Sequence, residues 1–221
     1  PPDSLVADFL VERGDDRNDL NVFASRRGNW EVMVRAAFHN RTLHNLLAPN
    51  APVAHTLHQP SGEIVPLWEA AQRYRAAGES VVLLAGERYG TGSSRDWAAK
   101  GQRLLGIRAV LANSFERIHR SNLIGMGVLP VRLPAGTTPL ALGLEAGDRI
   151  EVDAAPPDIA PRCTIPVRVV RTNGRVEHID ARAAIETQLE VELLRAGGVI
   201  PSTLARMVAR HAAATAHARA H

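Results

Sequence analysis

The sequence predicts an α/β fold with a mostly parallel core sheet and an added antiparallel hairpin. Between residues 81 and 133, short apolar runs alternate with stretches of helical spacing, which is typical of units with parallel strands. After Gly143 the pattern changes to strands without intervening helices, and Asn173–Gly174 is the turn signal of a tight hairpin. A chain of 221 residues can bury one good core and is most simply one domain.

Helices and loops are predicted before the first core strand. The predicted helices cover residues 4–13, 31–38 with a continuation over 43–47, and 67–77, and a charged connector covers 15–19. Residues 49–62 are predicted to form a loop because three prolines there prevent a long helix. Leu67, Ala71 and Tyr74 recur at helical spacing, and Gly78 ends that helix.

Three strands and two helices make up the predicted core alternation. The strands cover residues 81–85, 109–112 and 128–133, the first helix begins near Ser93 or Ser94, and the second covers 116–123. The first of these helices presents Trp97, Gly101 and Leu105 on one face, which predicts the side that packs against the sheet.

The last third of the sequence is predicted to contain strands and then helices. The strands cover residues 149–152, 165–171 and 175–179, and an amphipathic helix over 184–195 ends at Gly197–Gly198. Pro201 starts another helix. That helix runs into a tail rich in Ala, His and Arg, about residues 205–221, for which disorder stays open as an alternative.

Charge and cysteine content exclude several classes of function. The excess of 26 Lys and Arg over 23 Asp and Glu is too small to indicate nucleic-acid binding by itself, and arginines around a carboxylate-binding site explain it as well. No apolar run is long enough to span a membrane. The single cysteine, Cys163, cannot supply the thiolates of an iron–sulfur cluster. We therefore expect a cytoplasmic protein with no membrane contact and no metal site of its own.

The most informative segment is Tyr89–Trp97, with the sequence YGTGSSRDW, directly after the apolar strand 81–85. Gly90 and Gly92 allow backbone conformations that bring a ligand close, and a helix N-terminus offers N–H groups to an anion. Arg95 adds a planar fork that suits a carboxylate or phosphate. The segment lacks the Gly-Lys-Ser/Thr of a P-loop and the third glycine of a dinucleotide fingerprint. It predicts a site for a small anion, with a helix N-cap at the two serines as the alternative.

Three segments resemble signatures of the aconitase superfamily, in its bacterial aconitase and iron-regulatory-protein branch. The sequences are GERYGTGSSRDWAAKG at 86–101, SFERIHRSNLIGMGVLP at 114–130, and FASRRGN with RAAFHN at 23–29 and 35–40. The resemblance covers most of the chain and is strongest over residues 21–130. It implies the layered β/β/α swivel domain of these enzymes, here as a single, N-terminally truncated domain over residues 1–221.

The resemblance also implies a reaction and a cofactor. Enzymes of this superfamily dehydrate and rehydrate a tricarboxylate such as citrate through cis-aconitate to isocitrate, with a [4Fe–4S] cluster as the Lewis acid. Domains of the same enzyme that are absent from this chain would bind the cluster, so the isolated chain is expected to be inactive. Carried over by motif, Ser93 is the catalytic base, acting as an alkoxide, while Arg35, Ser94 and Arg95 bind the substrate. Such an alkoxide needs N–H groups and arginines around it.

Four further residues of these signatures are candidates for supporting roles around the site. Gly92 shapes the turn before the serines, and His119, Arg120 and Asn122 lie together in the second signature. A lone histidine between arginines is more often structural, partly because a cationic neighbourhood disfavours the charged imidazolium. We therefore expect these residues to support the site rather than to react.

The substrate and the class of function stay open at this point. Ala36-Ala37 replaces the Gly-Thr that follows the matching arginine in bacterial aconitases, and this change resembles the 2-methylcitrate dehydratase branch. Citrate and isocitrate rank first and 2-methylcitrate a close second, and the choice stays open because one methyl group is worth only about 1–3 kcal/mol in a pocket. RNA binding by the cluster-free protein is another alternative, which a salt-dependent RNA affinity would support. A separate small subunit, like that of isopropylmalate dehydratase, is the last, and a reading frame starting near Pro1 would support it.

Overall fold

Eight α-helices and eight β-strands are formed by the described residues of the computed structural model, which are 1–40, 42–92 and 96–219, with only the backbone for 213–219. The helices are α1 (Leu5–Val11), α2 (Trp30–Arg35), α3 (Leu67–Ala76), α4 (Trp97–Leu104), α5 (Arg117–Gly125), α6 (Pro139–Leu142), α7 (Gln188–Arg195) and α8 (Val199–Arg219). The strands are β1 (His55–His58), β2 (Glu63–Pro66), β3 (Val81–Ala85), β4 (Ile107–Ala112), β5 (Leu129–Arg132), β6 (Arg149–Val152), β7 (Thr164–Val170) and β8 (Val176–Ala183).

A mixed six-stranded sheet forms the centre of the fold, in the order β3-β4-β5-β8-β7-β6. The strands β3, β4 and β5 are parallel, which confirms the parallel core predicted from the alternation of strands and helices. The predicted antiparallel hairpin is also present, as β7 and β8. Because β8 pairs with β5 and β6 pairs with β7, the parallel and antiparallel halves belong to one sheet.

The parallel half of the sheet is buried on both faces, because successive side chains point into two different apolar cores. On β4, Leu111 lies in a core that also contains Val191 of α7. The preceding residue, Val110, lies in the opposite core together with Ala99 of α4 and Leu123 of α5. This packing holds α4 and α5 against the parallel strands and so fixes the loops from which both helices start.

Residues 43–47 are not helical, contrary to the sequence prediction, and part of the predicted loop 49–62 is strand β1. Contacts of Asn45 with this strand account for the first difference. Its side-chain amide donates to the carbonyl oxygen of His55 (3.3 Å) and to Oγ1 of Thr56 (2.9 Å). These tertiary contacts hold an irregular segment that local leucine spacing does not reveal.

Helices α4 and α8 correspond to two of the predicted helices. Asp96 is a turn residue and α4 begins at Trp97, while the predicted start near Ser93 or Ser94 lies outside the described residues. The last helix, α8, begins at Val199, close to the predicted start at Pro201, and continues to Arg219. Its alanine content favours helix. None of the described helices combines the length and hydrophobicity needed to cross a bilayer.

Candidate functional site

Two loops meet at the carboxyl ends of the parallel strands β3 and β4. The N–H of Asn113 donates to the carbonyl oxygen of Gly86 at 3.1 Å. Further on, the N–H of Tyr89 donates to the carbonyl oxygen of Ser114 (2.9 Å), and the N–H of Glu116 donates to that of Tyr89 (2.8 Å). These bonds continue the strand pairing into the loops. Open α/β sheets bind ligands at this end of their strands, so the glycine turn lies where a site is expected.

The turn after β3 contains three residues with left-handed backbone. They are Arg88 (φ +52°), Gly90 (φ +91°) and Gly92 (φ +111°). The hydroxyl of Thr91 donates to the carbonyl oxygen of Arg88 at 2.7 Å and braces the turn. A non-glycine residue in this conformation is uncommon and marks a backbone that the surrounding structure determines.

Gly90 is in direct contact with His119 of α5. A Cβ atom at this position would lie 2.2 Å from Cγ, 2.3 Å from Cβ and 2.4 Å from Cδ2 of His119, so only glycine fits. Gly92 is different, because no described atom lies within 4 Å of the corresponding Cβ position. Glycine is therefore needed at position 90 so that the backbone can approach the ring of His119. At position 92 glycine is needed only because the backbone has a positive φ.

His119 is buried, with 1% of its surface exposed. Its Nε2 lies 3.3 Å from Nε2 of Gln102 on α4, and the ring of Tyr89 packs edge-on at 5.2 Å between centroids. Its Nδ1 has no hydrogen-bond partner among the described residues. Burial lowers the pKa of the His119 imidazole below its ordinary value, with a smaller opposing effect of Glu116. Burial likewise raises the pKa of the Tyr89 hydroxyl, so both rings are neutral near pH 7.

Arg120 and Asn122 occupy the same helix as His119, but Arg120 has its partners elsewhere. Its guanidinium donates to the carbonyl oxygen of Ala184 and to Oε1 of Glu190 on α7, both at 2.8 Å. Burial by itself would raise the pKa of the Glu190 carboxyl, but hydrogen bonds from Arg120 and from backbone N–H groups outweigh it and the pKa is lowered. Arg120 thus anchors α5 to α7. Asn122 is half-buried on α5.

Arg35, the last residue of α2, is held between two aromatic rings. Its guanidinium carbon lies 3.9 Å from the ring centre of Phe9 and 4.4 Å from that of Trp68. Its Nη1 donates to the carbonyl oxygen of Glu31 at 2.8 Å. Burial lowers the pKa of Arg35 from its ordinary value, and Glu31 opposes this effect. These contacts fix the guanidinium plane on the side of α1, α2 and α3.

The segment after Arg35 is packed against α4, the helix that follows the glycine turn. A Cβ atom at Gly101 of α4 would lie 3.4 Å from Cβ of Ala37, which places these two backbones in close contact. Phe38 has φ +60° and packs in the cores on both sides of α4. The RAAFHN segment and the helix after the serines are therefore neighbours in space.

The predicted catalytic and substrate-binding residues Ser93, Ser94 and Arg95 lie outside the described residues. They fall between Gly92 and Asp96, whose positions are described. Of the other predicted site residues, Gly92 and His119 belong to the same turn-and-helix junction. Arg35 lies on the neighbouring helix α2, and the side chain of Arg120 is engaged with α7.

Two residues of this junction were not predicted from the sequence. Gln102 and Tyr89 enclose the ring of His119, and burial leaves Gln102 4% exposed. The signal for Gln102 is its place three residues after Ala99 on the buried face of α4, where a polar side chain needs a partner. Sequence spacing alone gives no indication that this partner is His119.

The described residues contain no group of three His, Cys, Asp or Glu side chains that could hold a metal ion. Cys163 is a free thiol in a loop, where its Sγ accepts from the N–H of Ala160 at 3.4 Å. A cleft of about 320 Å³ lies at the opposite end of β3, lined in part by Arg75, Arg103 and Arg108. Arg75 and Arg103 are at the C-terminal ends of α3 and α4, where basic side chains offset the helix dipole, so we assign no ligand to this cleft.

Comparison with known proteins identifies relatives over nearly the whole chain. A model of the aconitase C-terminal domain family matches residues 6–136. Aconitate hydratase A of Escherichia coli (strain K12) is 42% identical over 207 residues, which cover 94% of this chain and 23% of that protein. Phosphinomethylmalate isomerase of Streptomyces viridochromogenes is 44% identical over 204 residues, which cover 92% of this chain and 22% of that protein. The chain thus spans less than a quarter of the length of these relatives.

One solved structure is a more distant match. A 3-isopropylmalate dehydratase from Methanocaldococcus jannaschii is 25% identical with a TM-score of 0.40, covering 66% of this chain and 82% of that chain. A TM-score this low supports no conclusion about this protein.

Proposed function

The chain belongs to the family of aconitase C-terminal domains, and we propose that it is one part of a hydro-lyase that dehydrates and rehydrates a tricarboxylic hydroxy-acid. The observation that supports the proposal most is the glycine turn at the carboxyl ends of β3 and β4, fixed by the contact of Gly90 with His119. This turn lies inside the family match and leads directly to Ser93, Ser94 and Arg95.

The reaction needs a base for the proton on the carbon beside a carboxylate, and cations for the carboxylates themselves. We assign the base to Ser93 and carboxylate binding to Ser94, Arg95 and Arg35. A serine hydroxyl is too weak an acid to ionise near neutral pH unless N–H groups and cations stabilise the alkoxide. Helix α4 supports this assignment, because its N-cap residue Asp96 makes no side-chain capping hydrogen bond, and the first N–H groups of a helix have no partner within the helix.

The environment of Arg35 suits a carboxylate anchor. The rings of Phe9 and Trp68 hold the guanidinium plane, so less conformational entropy is lost when a carboxylate binds. Among the described residues no carboxylate forms an ion pair with Arg35, whereas the neighbouring Arg13 is paired with Glu31 at 3.5 Å. The charge of Arg35 is therefore available to a substrate.

The [4Fe–4S] cluster of the proposed reaction does not fit the residues of this chain. The sequence contains one cysteine, Cys163, which is a free thiol in a loop far along the chain from the glycine turn. We place the cluster in other domains of the same protein, which are then the partners of this chain. The residues of this chain would bind the carboxylates and move the proton.

The substrate class is a tricarboxylic hydroxy-acid, with citrate and isocitrate first and 2-methylcitrate as the alternative. The methyl groups of Ala36 and Ala37 follow the proposed carboxylate anchor, and Ala37 is packed against Gly101. The relative named phosphinomethylmalate isomerase is as similar as the aconitate hydratases, so a phosphinate analogue belongs among the substrates tested.

The test is turnover by the complete, cluster-loaded protein on citrate, 2-methylcitrate and phosphinomethylmalate. We expect turnover on at least one of them and, for that substrate, a rise in KM of about 10- to 1,000-fold in Arg35→Ala, because one charge-assisted contact is lost. Arg13→Ala is the matched control, since Arg13 also stacks on Phe9, at 3.7 Å, and should leave KM within about twofold. No turnover on any of the three acids would contradict the proposed function.

A further inference from the structure

His119 contacts both flanks of the segment that contains Ser93, Ser94 and Arg95. Before that segment, Gly90 packs on the imidazole so closely that a methyl group does not fit. After it, Gln102 of α4 places its amide nitrogen 3.3 Å from Nε2 of the same ring. One side chain from α5 therefore touches both the turn after β3 and helix α4, the described elements on either side of residues 93–95.

The hydrogen bonds of Gln102 determine which ring nitrogen of His119 carries the proton. Nε2 of Gln102 also lies 3.0 Å from the carbonyl oxygen of Ala98, which only a donor satisfies. An amide nitrogen can only donate, so at the 3.3 Å contact Nε2 of His119 accepts, and the proton of the neutral ring is on Nδ1. Nε2 of His119 therefore accepts a hydrogen bond from α4, and the flat side of its ring packs against Gly90 of the turn.

Packing alone does not explain these two polar residues in the core. Nδ1 of His119 and Oε1 of Gln102 are both buried without a partner among the described residues. Such atoms are costly, and apolar residues of similar size would avoid that cost. A phenyl ring would support Gly90 but could not accept from Gln102, and a glutamine would accept but would offer no flat face. Histidine meets both requirements.

The surroundings keep the ring uncharged. Its neighbour on the turn is the ring of Tyr89, and the Glu116 carboxylate at the N-cap of α5 accepts from the backbone N–H of His119 at 2.9 Å and opposes the effect of burial on the ring. Burial lowers the pKa of the imidazole. The ring is therefore placed as a spacer, not as a proton donor to substrate.

We propose that His119 is a positioning residue, whose imidazole holds Gly90 on one side and Gln102 on the other and thereby fixes the turn after β3 against helix α4. The consequence for turnover rests on the proposed function. The effect on the turn after β3 and on helix α4 is independent of the proposed function, and it is tested separately.

The first test is amide hydrogen exchange on this chain, with the peptide covering residues 91–100 as the readout. We expect at least about tenfold faster exchange there in His119→Phe and in Gln102→Leu, because each variant removes the hydrogen bond between Gln102 of α4 and the ring at position 119. Gln72→Leu is the matched control. Gln72 is a glutamine on α3, and its buried amide nitrogen likewise has no hydrogen-bond partner among the described residues. This control variant should leave the peptide unchanged. Equal exchange of this peptide in the wild type, His119→Phe, Gln102→Leu and Gln72→Leu would overturn the proposal.

The second test is steady-state kinetics of the complete, cluster-loaded enzyme. We expect kcat to fall about 10- to 100-fold in His119→Phe, as misplacement of a catalytic group does, while the urea midpoint stays near that of the wild type. The double variant with Gln102→Leu should lose little more than either single variant, because both act through one ring. A wild-type kcat in His119→Phe would overturn the positioning role. If Ser93→Ala also keeps full turnover, the proposed function is wrong, and the exchange experiment still decides the role of His119.

Discussion

Replacing Gly90 with alanine tests the contact that fixes the glycine turn. The added Cβ atom would lie 2.2–2.4 Å from three carbon atoms of His119, and the backbone has φ +91°. The left-handed conformation costs an L-residue about 1–2 kcal/mol, and overpacking a filled site adds about 1–3 kcal/mol. We therefore expect Gly90→Ala to lower the free energy of unfolding by about 2–5 kcal/mol.

Gly14 provides a matched control for the backbone contribution. Its φ is +94°, almost the same as that of Gly90, but no atom of the described residues lies within 4 Å of the position that a Cβ atom would take. Gly14→Ala should cost only the conformational part, about 1–2 kcal/mol. Urea unfolding of the chain, followed by circular dichroism and compared at equal m-value, measures both. Equal losses in the two variants would refute the contact between Gly90 and His119.

A double variant separates the ring contact from other effects of the methyl group. In the background of His119→Ala the ring is absent, so adding Gly90→Ala should cost no more than Gly14→Ala does. The coupling energy between positions 90 and 119 is then about 1–3 kcal/mol, the size of the removed overlap. Additive losses would show that the methyl group is not in conflict with the imidazole.

Two further predictions concern the helix that holds His119. Arg120→Met should lower the free energy of unfolding by about 2–4 kcal/mol. The substitution leaves the largely buried carboxylate of Glu190 without its cation and the carbonyl oxygen of Ala184 without its donor. A loss below about 1 kcal/mol in urea unfolding would contradict an anchoring role. The lowered pKa of His119 means that the unfolded chain takes up the proton first, so the stability it contributes is fully present above about pH 6.5 and is lost as the pH falls toward the folded-state pKa. His119→Phe should flatten unfolding free energy against pH below 6.5 by up to about 1.4 kcal/mol per pH unit relative to wild type, and parallel curves would contradict a neutral, buried ring.

Local sequence patterns predicted the central elements of the fold because those elements depend on nearest neighbours in the chain. Val81–Ala85 is a β-branched run between glycines and forms β3 with the predicted bounds. The Asn173–Gly174 signal likewise lies in the connection between β7 and β8. The strands β1 and β2 have four residues each, too few for a clear alternation, and the side chain of Asn45 contacts β1 across an irregular segment that local spacing does not reveal.

The candidate site was predictable in composition but not in arrangement. The glycines and the serine–arginine run after a core strand indicated an anion site, and the resemblance to aconitases supplied roles for individual residues. The contact of Gly90 with His119 joins positions far apart in sequence, and spacing does not encode it. Arg120, expected near the site, instead binds Glu190, 70 residues later in the chain. Its charge resembles that of a substrate-binding arginine, and only the fold shows its partner.

Turnover of the complete enzyme with Ser93→Ala tests the central claim most directly. The matched control is Ser80→Ala, an exposed serine at the other end of β3. If this chain supplies the base, Ser93→Ala should reduce kcat by at least about 100-fold while the cluster spectrum and the urea midpoint stay at wild-type values, and Ser80→Ala should keep full turnover. Near-normal turnover in Ser93→Ala, with the cluster intact, would contradict the assignment of this chain as the proton-transferring part of a hydro-lyase.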